Sequence, residues 1–342
     1  MVRKSIWARS IGGALLVMLA AAAGASSAAP RAPPAYEVTA RIPGPDGFWD
    51  YASFEPVKRR VYVARGDGLM ALGVDTGKLT PHLADGQRTH APLPLPGGRR
   101  LLLTSGGTNT ARLINTESGA LIADIPTGQG PDAAILEPAT GLVLVMSHTG
   151  AVTLIDPRAA KAVGSIDVGG ALEFAAADGR GRAYVNVESK DEIAVLDLRS
   201  RKVTGHYTLK GCESPSGLAY DARLGVLIAA CSNNIAKVLR ASDGAPVADL
   251  AIAKGPDAVI LDERRRLAFI PCGWDGELDV IALKTAKDIS VVQTVKTQPG
   301  ARTGAVDPKT GKIYLPSATY TLAGGHPTVT PGTFQILVVS PR

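Results

Sequence analysis

Val61-Tyr62-Val63-Ala64, entered from a basic turn and left through Arg65-Gly66-Asp67-Gly68, is a short apolar segment that this chain repeats six more times. The matching segments start at Leu101, Val143, Ala183, Val226, Leu267 and Ile313, at intervals of 40, 42, 40, 43, 41 and 46 residues. Four to six apolar residues bounded by Gly and Asp turns read as strands. A spacing in the low forties is that of a four-stranded blade repeated around an axis. Within the first repeat, Asp50–Phe54 is the first strand, Val61–Ala64 the second and Leu69–Val74 the third. Asp75-Thr76-Gly77-Lys78 is a hairpin turn, and Leu79–Leu83 is the outer strand. Helical periodicity is absent over any useful length beyond the N-terminal segment. The expected fold is all-β, a seven-bladed propeller of four-stranded antiparallel blades.

The seventh repeat ends early. Phe334–Val339 supplies a third strand and the sequence stops at Arg342, with no fourth strand following. Val38-Thr39-Ala40-Arg41-Ile42-Pro43 resembles the fourth strand of the second repeat, Ile122–Pro126, and precedes Asp50 at a similar distance. The N-terminal strand is therefore expected to close the ring, which removes an open sheet edge.

Arg3, Lys4 and Arg9 stand ahead of an apolar run, Ile11–Ala23, and a tract of small residues. That is the layout of a secretory signal. Cleavage is expected after Ala25, with Ala28 as the other candidate, leaving residues 26–35 as a leader and 36–342 as one propeller domain. The run is too short to span a bilayer comfortably, so stable membrane insertion is not expected. The expected location is periplasmic or secreted. Losing Arg3, Lys4 and Arg9 changes 37 basic against 31 acidic residues to 34 against 31, an excess of three. So small and dispersed a charge excludes a nucleic-acid reading. The basic runs Lys58-Arg59-Arg60, Arg99-Arg100 and Arg264-Arg265-Arg266 share one place in the repeat and read as solvated turns.

Several segments resemble the YVTN-type β-propeller repeat family and its exported YncE-like members. They are Val61-Tyr-Val-Ala64, Ala183-Tyr-Val-Asn186 with Ile193–Asp197, Gly130-Pro-Asp-Ala133, Gly255–Val259 and Asp307–Tyr314. The resemblance spans essentially the whole chain after the signal. It implies a seven-bladed ring in an exported protein, and it carries over no activity.

Loops before each first strand share a face with those between second and third strands. Asp50, His90, Asp132, Glu173, Ser216, Asp257 and Arg302 come from the first set; Arg65, Asn109, His148, Glu188, Asn233, Trp274 and Tyr320 come from the second. Carboxylates, imidazoles and guanidiniums thus converge on one concave rim, the expected binding site. No metal or other cofactor is expected. None of His82, His90, His148, His206 and His326 lies in an HxH, HExxH or Cys-His spacing. His90, His148 and Asp132 are nevertheless placed to meet across blades two and three. Cys212 and Cys231 enter and leave blade five on the same face and form the expected disulfide. Cys231–Cys272 is the alternative pairing, between equivalent positions of adjacent blades.

Ser317–Thr333 is longer than its counterparts and is expected to overhang the channel mouth. The reading of function is a non-catalytic exported module that binds a small molecule, a peptide or a periplasmic protein, as a monomer. The alternative is a lactonase-like hydrolase or lyase on the same rim. There His90, Asp132 or His148 would serve as base, with Arg302 at an oxyanion.

Overall fold

A computed structural model describes residues 1–2, 34–323 and 326–342. Residues 3–25 of the signal segment and all but the last two residues of the leader lie outside them. From Pro33 onward the chain is one compact unit made of seven four-stranded antiparallel sheets and one two-stranded hairpin. The only helical element among the described residues is a single 3₁₀ turn at Glu188–Lys190.

The second strands form where the repeat places them, within one residue at each end: Arg60–Arg65, Arg100–Ser105, Leu142–Ser147, Arg182–Val187, Val226–Cys231, Leu267–Cys272 and Ile313–Ser317. Each is buried on both faces, which is why it is a continuous apolar run and not an alternating one. The outer strands are largely exposed or half-buried instead. Lys202–Thr208 switches between exposed and half-buried at every residue. First strands are shorter than expected in blades six and seven, Ile260–Asp262 and Ala305–Val306.

Ring closure is as the seventh repeat requires. Tyr36–Pro43 pairs antiparallel with Gln335–Pro341, making the N-terminal strand the outer strand of blade seven. Arg342 N donates to Ala35 O at 2.8 Å just beyond the paired strands. Cys212 and Cys231 are bonded, with Cα atoms 5.4 Å apart, and Cys272 is free and buried.

The basic turns are solvated only in part: Arg99 and Arg264 are exposed, while the basic residues beside them are half-buried. Arg59 of blade one donates two hydrogen bonds to the fully buried carboxylate of Asp307 in blade seven, at 3.2 and 2.8 Å. Arg60 reaches Thr116 O, Arg100 reaches Pro157 O, and Arg265 reaches Pro308 O and Lys309 O, each in the next blade. These side chains tie blade to blade. A short period cannot reveal this, because the acceptors lie more than 40 residues away.

The 317–333 insertion also carries paired strands. Tyr320–Ala323 and His326–Val329 pair as a hairpin.

Candidate functional site

The first strands of blades one to five carry most of the site because each breaks register at the same place. In blades one to five the pairing skips between Trp49 and Ala52, Thr89 and Pro92, Pro131 and Ala134, Leu172 and Ala175, and Pro215 and Leu218. Each skip is a β-bulge, one extra residue that re-aims the side chains beside it. The first bulged residues are Asp50, His90, Asp132, Glu173 and Ser216. Buried polar side chains of the preceding blade pin these bulges by their carbonyls. Thr303 donates to Asp50 O at 2.7 Å, Thr104 to Asp132 O at 2.7 Å, and Asn186 to Ser216 O at 2.9 Å. All three pinning side chains are fully buried.

The side chains so aimed form a nearly continuous arc around the channel. Asp257 Oδ2 lies 2.8 Å from Arg302 Nε, and Arg302 Nη2 lies 3.7 Å from Asp50 Oδ1. His90 Nδ1 is 2.8 Å from Asp50 Oδ2 and 3.6 Å from Asp132 Oδ1. His148 Nε2 is 3.1 Å from Asp132 Oδ2, and its Nδ1 is 4.0 Å from Glu173 Oε1. Below the arc, Tyr51 of blade one meets Phe174 of blade four across the axis, with ring centroids 5.1 Å apart. The pair makes an aromatic floor, so the arc lines a cup.

Electrostatics in the cup run one way. Burial first, and then the charges of Asp132, Asp257, Glu188 and Asp50, push the Glu173 carboxyl up to about 10. Burial raises Asp257 to about 7 against the opposing pull of Arg302, with Asp50 and Asp132 adding to the rise. Asp50 is raised by burial despite its hydrogen bond to His90. Burial opposes protonation of His90, yet its bond to Asp50 and the charges of Asp132 and Asp50 raise it overall. His148 is raised chiefly by its bond to Asp132. These groups hold protons more tightly than in water, as groups do where carboxylates outnumber cations.

Above one side of the cup lies a cleft of about 810 Å³, lined by Phe48, Trp274, Pro299, Arg302, Thr319 and Tyr320. Trp274 is 77% exposed and Phe48 60% exposed, in a molecule whose other large side chains are mostly buried. Tyr320, on the 317–333 hairpin, stacks on the buried Trp49 at 5.4 Å and receives a long contact from Arg302 Nη1 at 3.5 Å. Gly255, at φ +74°, lies directly against the Trp274 ring: a Cβ there would fall 2.5 Å from the ring.

Of the rim residues expected from the repeat, Asp50, His90, Asp132, His148, Glu173, Asp257 and Arg302 line the cup, and Trp274 and Tyr320 the cleft. Arg65 does not. It is buried, donates to Phe48 O and Pro45 O, and lies over the Phe334 ring at 3.9 Å, so it anchors the 45–48 loop. Asn109 and Asn233 are likewise absorbed in loop hydrogen bonds. His82 and His206, on outer strands, face Asp85 and Glu192 far from the cup. Phe48, Tyr51 and Phe174 were missed by the sequence reading. Tyr51 and Phe174 follow the bulged residues Asp50 and Glu173 directly, and a strict period-two reading turns them away from the axis.

Fold and site together define a seven-bladed propeller with a polar cup and an aromatic cleft at one mouth. No family model and no curated protein matches the sequence. Solved structures do match. One is a chain of the Kuenenia stuttgartiensis hydrazine synthase, 15% identical with a TM-score of 0.69, the alignment covering 85% of this chain and 96% of that one. Another is a chain in the crystal structure of a mitotic checkpoint complex, 12% identical with a TM-score of 0.73, covering 96% and 99%. At such identities the likeness is one of fold.

Proposed function

We propose that this protein is an exported binding propeller of the YVTN type that takes a small organic molecule into the cleft over its cup. The observation that carries the reading is the cleft itself, where two exposed aromatic rings and Tyr320 flank the Arg302 guanidinium. Its volume falls in the range of small-molecule sites, and exposed aromatic surface gathered at a concavity is a mark of recognition. Export is supported by the basic, apolar and small-residue layout of the N-terminus and by the Cys212–Cys231 disulfide. Among the described residues no helix is long and apolar enough to cross a membrane.

Native mass spectrometry of protein purified from the export compartment tests this. Wild type is expected to carry a discrete added mass that Trp274→Ala loses. Because Trp49 is buried and Trp274 exposed, bound ligand should also quench the tryptophan emission that Trp274 contributes. Retention of the mass by both Trp274→Ala and Phe48→Ala, or no added mass at all, sinks the cleft reading.

One observation favours a second reading, the lactonase-like hydrolase or lyase. His90, Asp132 and His148 converge at 3.6 and 3.1 Å. With both imidazoles raised, the two histidines are poised as proton donors more than as bases. Turnover of a lactone or ester panel that disappears in His90→Ala supports this reading. No turnover above the uncatalysed rate rejects it.

A further inference from the structure

We propose that the arc Asp50–His90–Asp132–His148–Glu173 is a binding centre for a divalent first-row transition-metal ion, with Asp132 as the shared ligand. Two donor triads of the same composition, one imidazole and two carboxylates, meet at Asp132: Asp50 with His90, and His148 with Glu173. Within each triad the donor atoms lie within 4.8 Å of one another. The two imidazoles address different oxygens of Asp132, His90 facing Oδ1 and His148 facing Oδ2. Bonds of 2.0–2.2 Å in a tetrahedral site set neighbouring donors roughly 3.3 Å apart. Around His90 Nδ1 the separations of 2.8 and 3.6 Å bracket that value, and His148 Nε2 stands 3.1 Å from Asp132 Oδ2.

A cluster of carboxylates and imidazoles can be no more than a buried salt-bridge network, and a separate observation argues against that. Asp132 is only 6% exposed, and its Oδ1 accepts no hydrogen bond among the described residues. A buried carboxylate oxygen left unpaired is costly, and this one points at His90 inside the triad. Its other surroundings are those of a ligand held in place: Thr104 and Thr303 pin the backbone carbonyls of Asp132 and Asp50. Imidazole donors select zinc, copper, iron or nickel over calcium and magnesium, which take all-oxygen shells. The absence of a recognisable histidine spacing is no objection. The ligands come from four blades, so no short motif can contain them.

The test is titration of the full mature chain, stripped with a chelator, with Co²⁺ followed by visible absorption and with Zn²⁺ followed by calorimetry. Wild type is expected to bind with ligand-field bands, and the isosteric Asp132→Asn to bind at least about 100-fold more weakly with an unchanged fold by circular dichroism. Loss of binding in His90→Ala alone, or in His148→Ala alone, assigns the ion to that triad. A halved stoichiometry in each places one ion on either side of a bridging Asp132. Trp274→Ala should bind Co²⁺ as wild type does, which separates this centre from the cleft. The proposal is overturned if Co²⁺ and Zn²⁺ bind wild type no better than Asp132→Asn, or if His82→Ala abolishes the binding, since His82 belongs to an exposed cluster with Asp67 and Asp85.

Discussion

Asp257 shows how one residue in the cup is set by its neighbours. Its carboxyl stands at about 7, against an ordinary value of 3.8, because burial outweighs the guanidinium beside it. Between those two values the folded chain binds a proton that the unfolded chain releases. Stability from this group is therefore fully present below about pH 4 and is lost as pH rises through 7. Asp257→Asn keeps the shape and an acceptor for Arg302 but has no proton to lose. The variant's stability should fall less steeply from pH 5 to pH 8, by at most about 1.4 kcal/mol per pH unit, in urea titrations at each pH. Identical slopes in variant and wild type refute the shift. Asp257 was legible in the sequence as a rim residue because it stands at a fixed place in the repeat. Its protonation was not, since that depends on Asp50, Asp132 and Arg302, which come from other blades.

At the scale of elements, the second and third strands were legible because apolar runs bounded by turns leave little choice of register. The bulges were not, because a bulge is an extra residue relative to a partner strand and only the partner defines it. That explains why Asp50 and Glu173 were identified while Tyr51 and Phe174, which make the floor, were passed over. The N-terminal strand is the element most dependent on distant pairing. Tyr36–Pro43 joins its blade only through Gln335–Pro341, more than 290 residues along the chain. Tyr36 is buried against Phe269, 5.0 Å between ring centroids, and exchanges two hydrogen bonds with Gln293. Removing residues 35–43 exposes an unpaired edge and uncovers that packing. The deletion should lower the melting temperature by at least about 10 °C, given that a few kcal/mol shifts a domain of this size by several degrees each. It should also promote edge-to-edge association visible in light scattering. A melting curve that did not move would show that blade seven holds without its outer strand.

A ring of blades has no central core, so its integrity rests on the contacts between neighbours, and the seam between blades seven and one is bridged by Arg59 and Asp307. Asp307 is fully buried and accepts from Arg59 twice, from Lys309 N at 2.9 Å and from Thr310 Oγ1 at 2.6 Å. Burial alone would raise its carboxyl, but these donors hold it below the usual range. Its contribution is accordingly present above the unfolded value and lost as pH falls through the lower folded value, the opposite sense to Asp257. Asp307→Ala removes four acceptor interactions and leaves the half-buried Arg59 with only the exposed Asp75 as partner. The expected loss is about 3–5 kcal/mol in urea unfolding at pH 7, the cost of breaking a buried pair from one side. Asp243→Ala breaks a pair with Arg240 that is exposed on both sides, and should leave stability nearly unchanged. If the two variants lose equal stability, the blade-to-blade arginines are ordinary surface residues and the ring is held by apolar packing alone. If Asp307→Ala loses more, and the gap narrows below about pH 4 as the wild-type carboxylate is protonated, the seam is closed by charge as well as by sheet pairing.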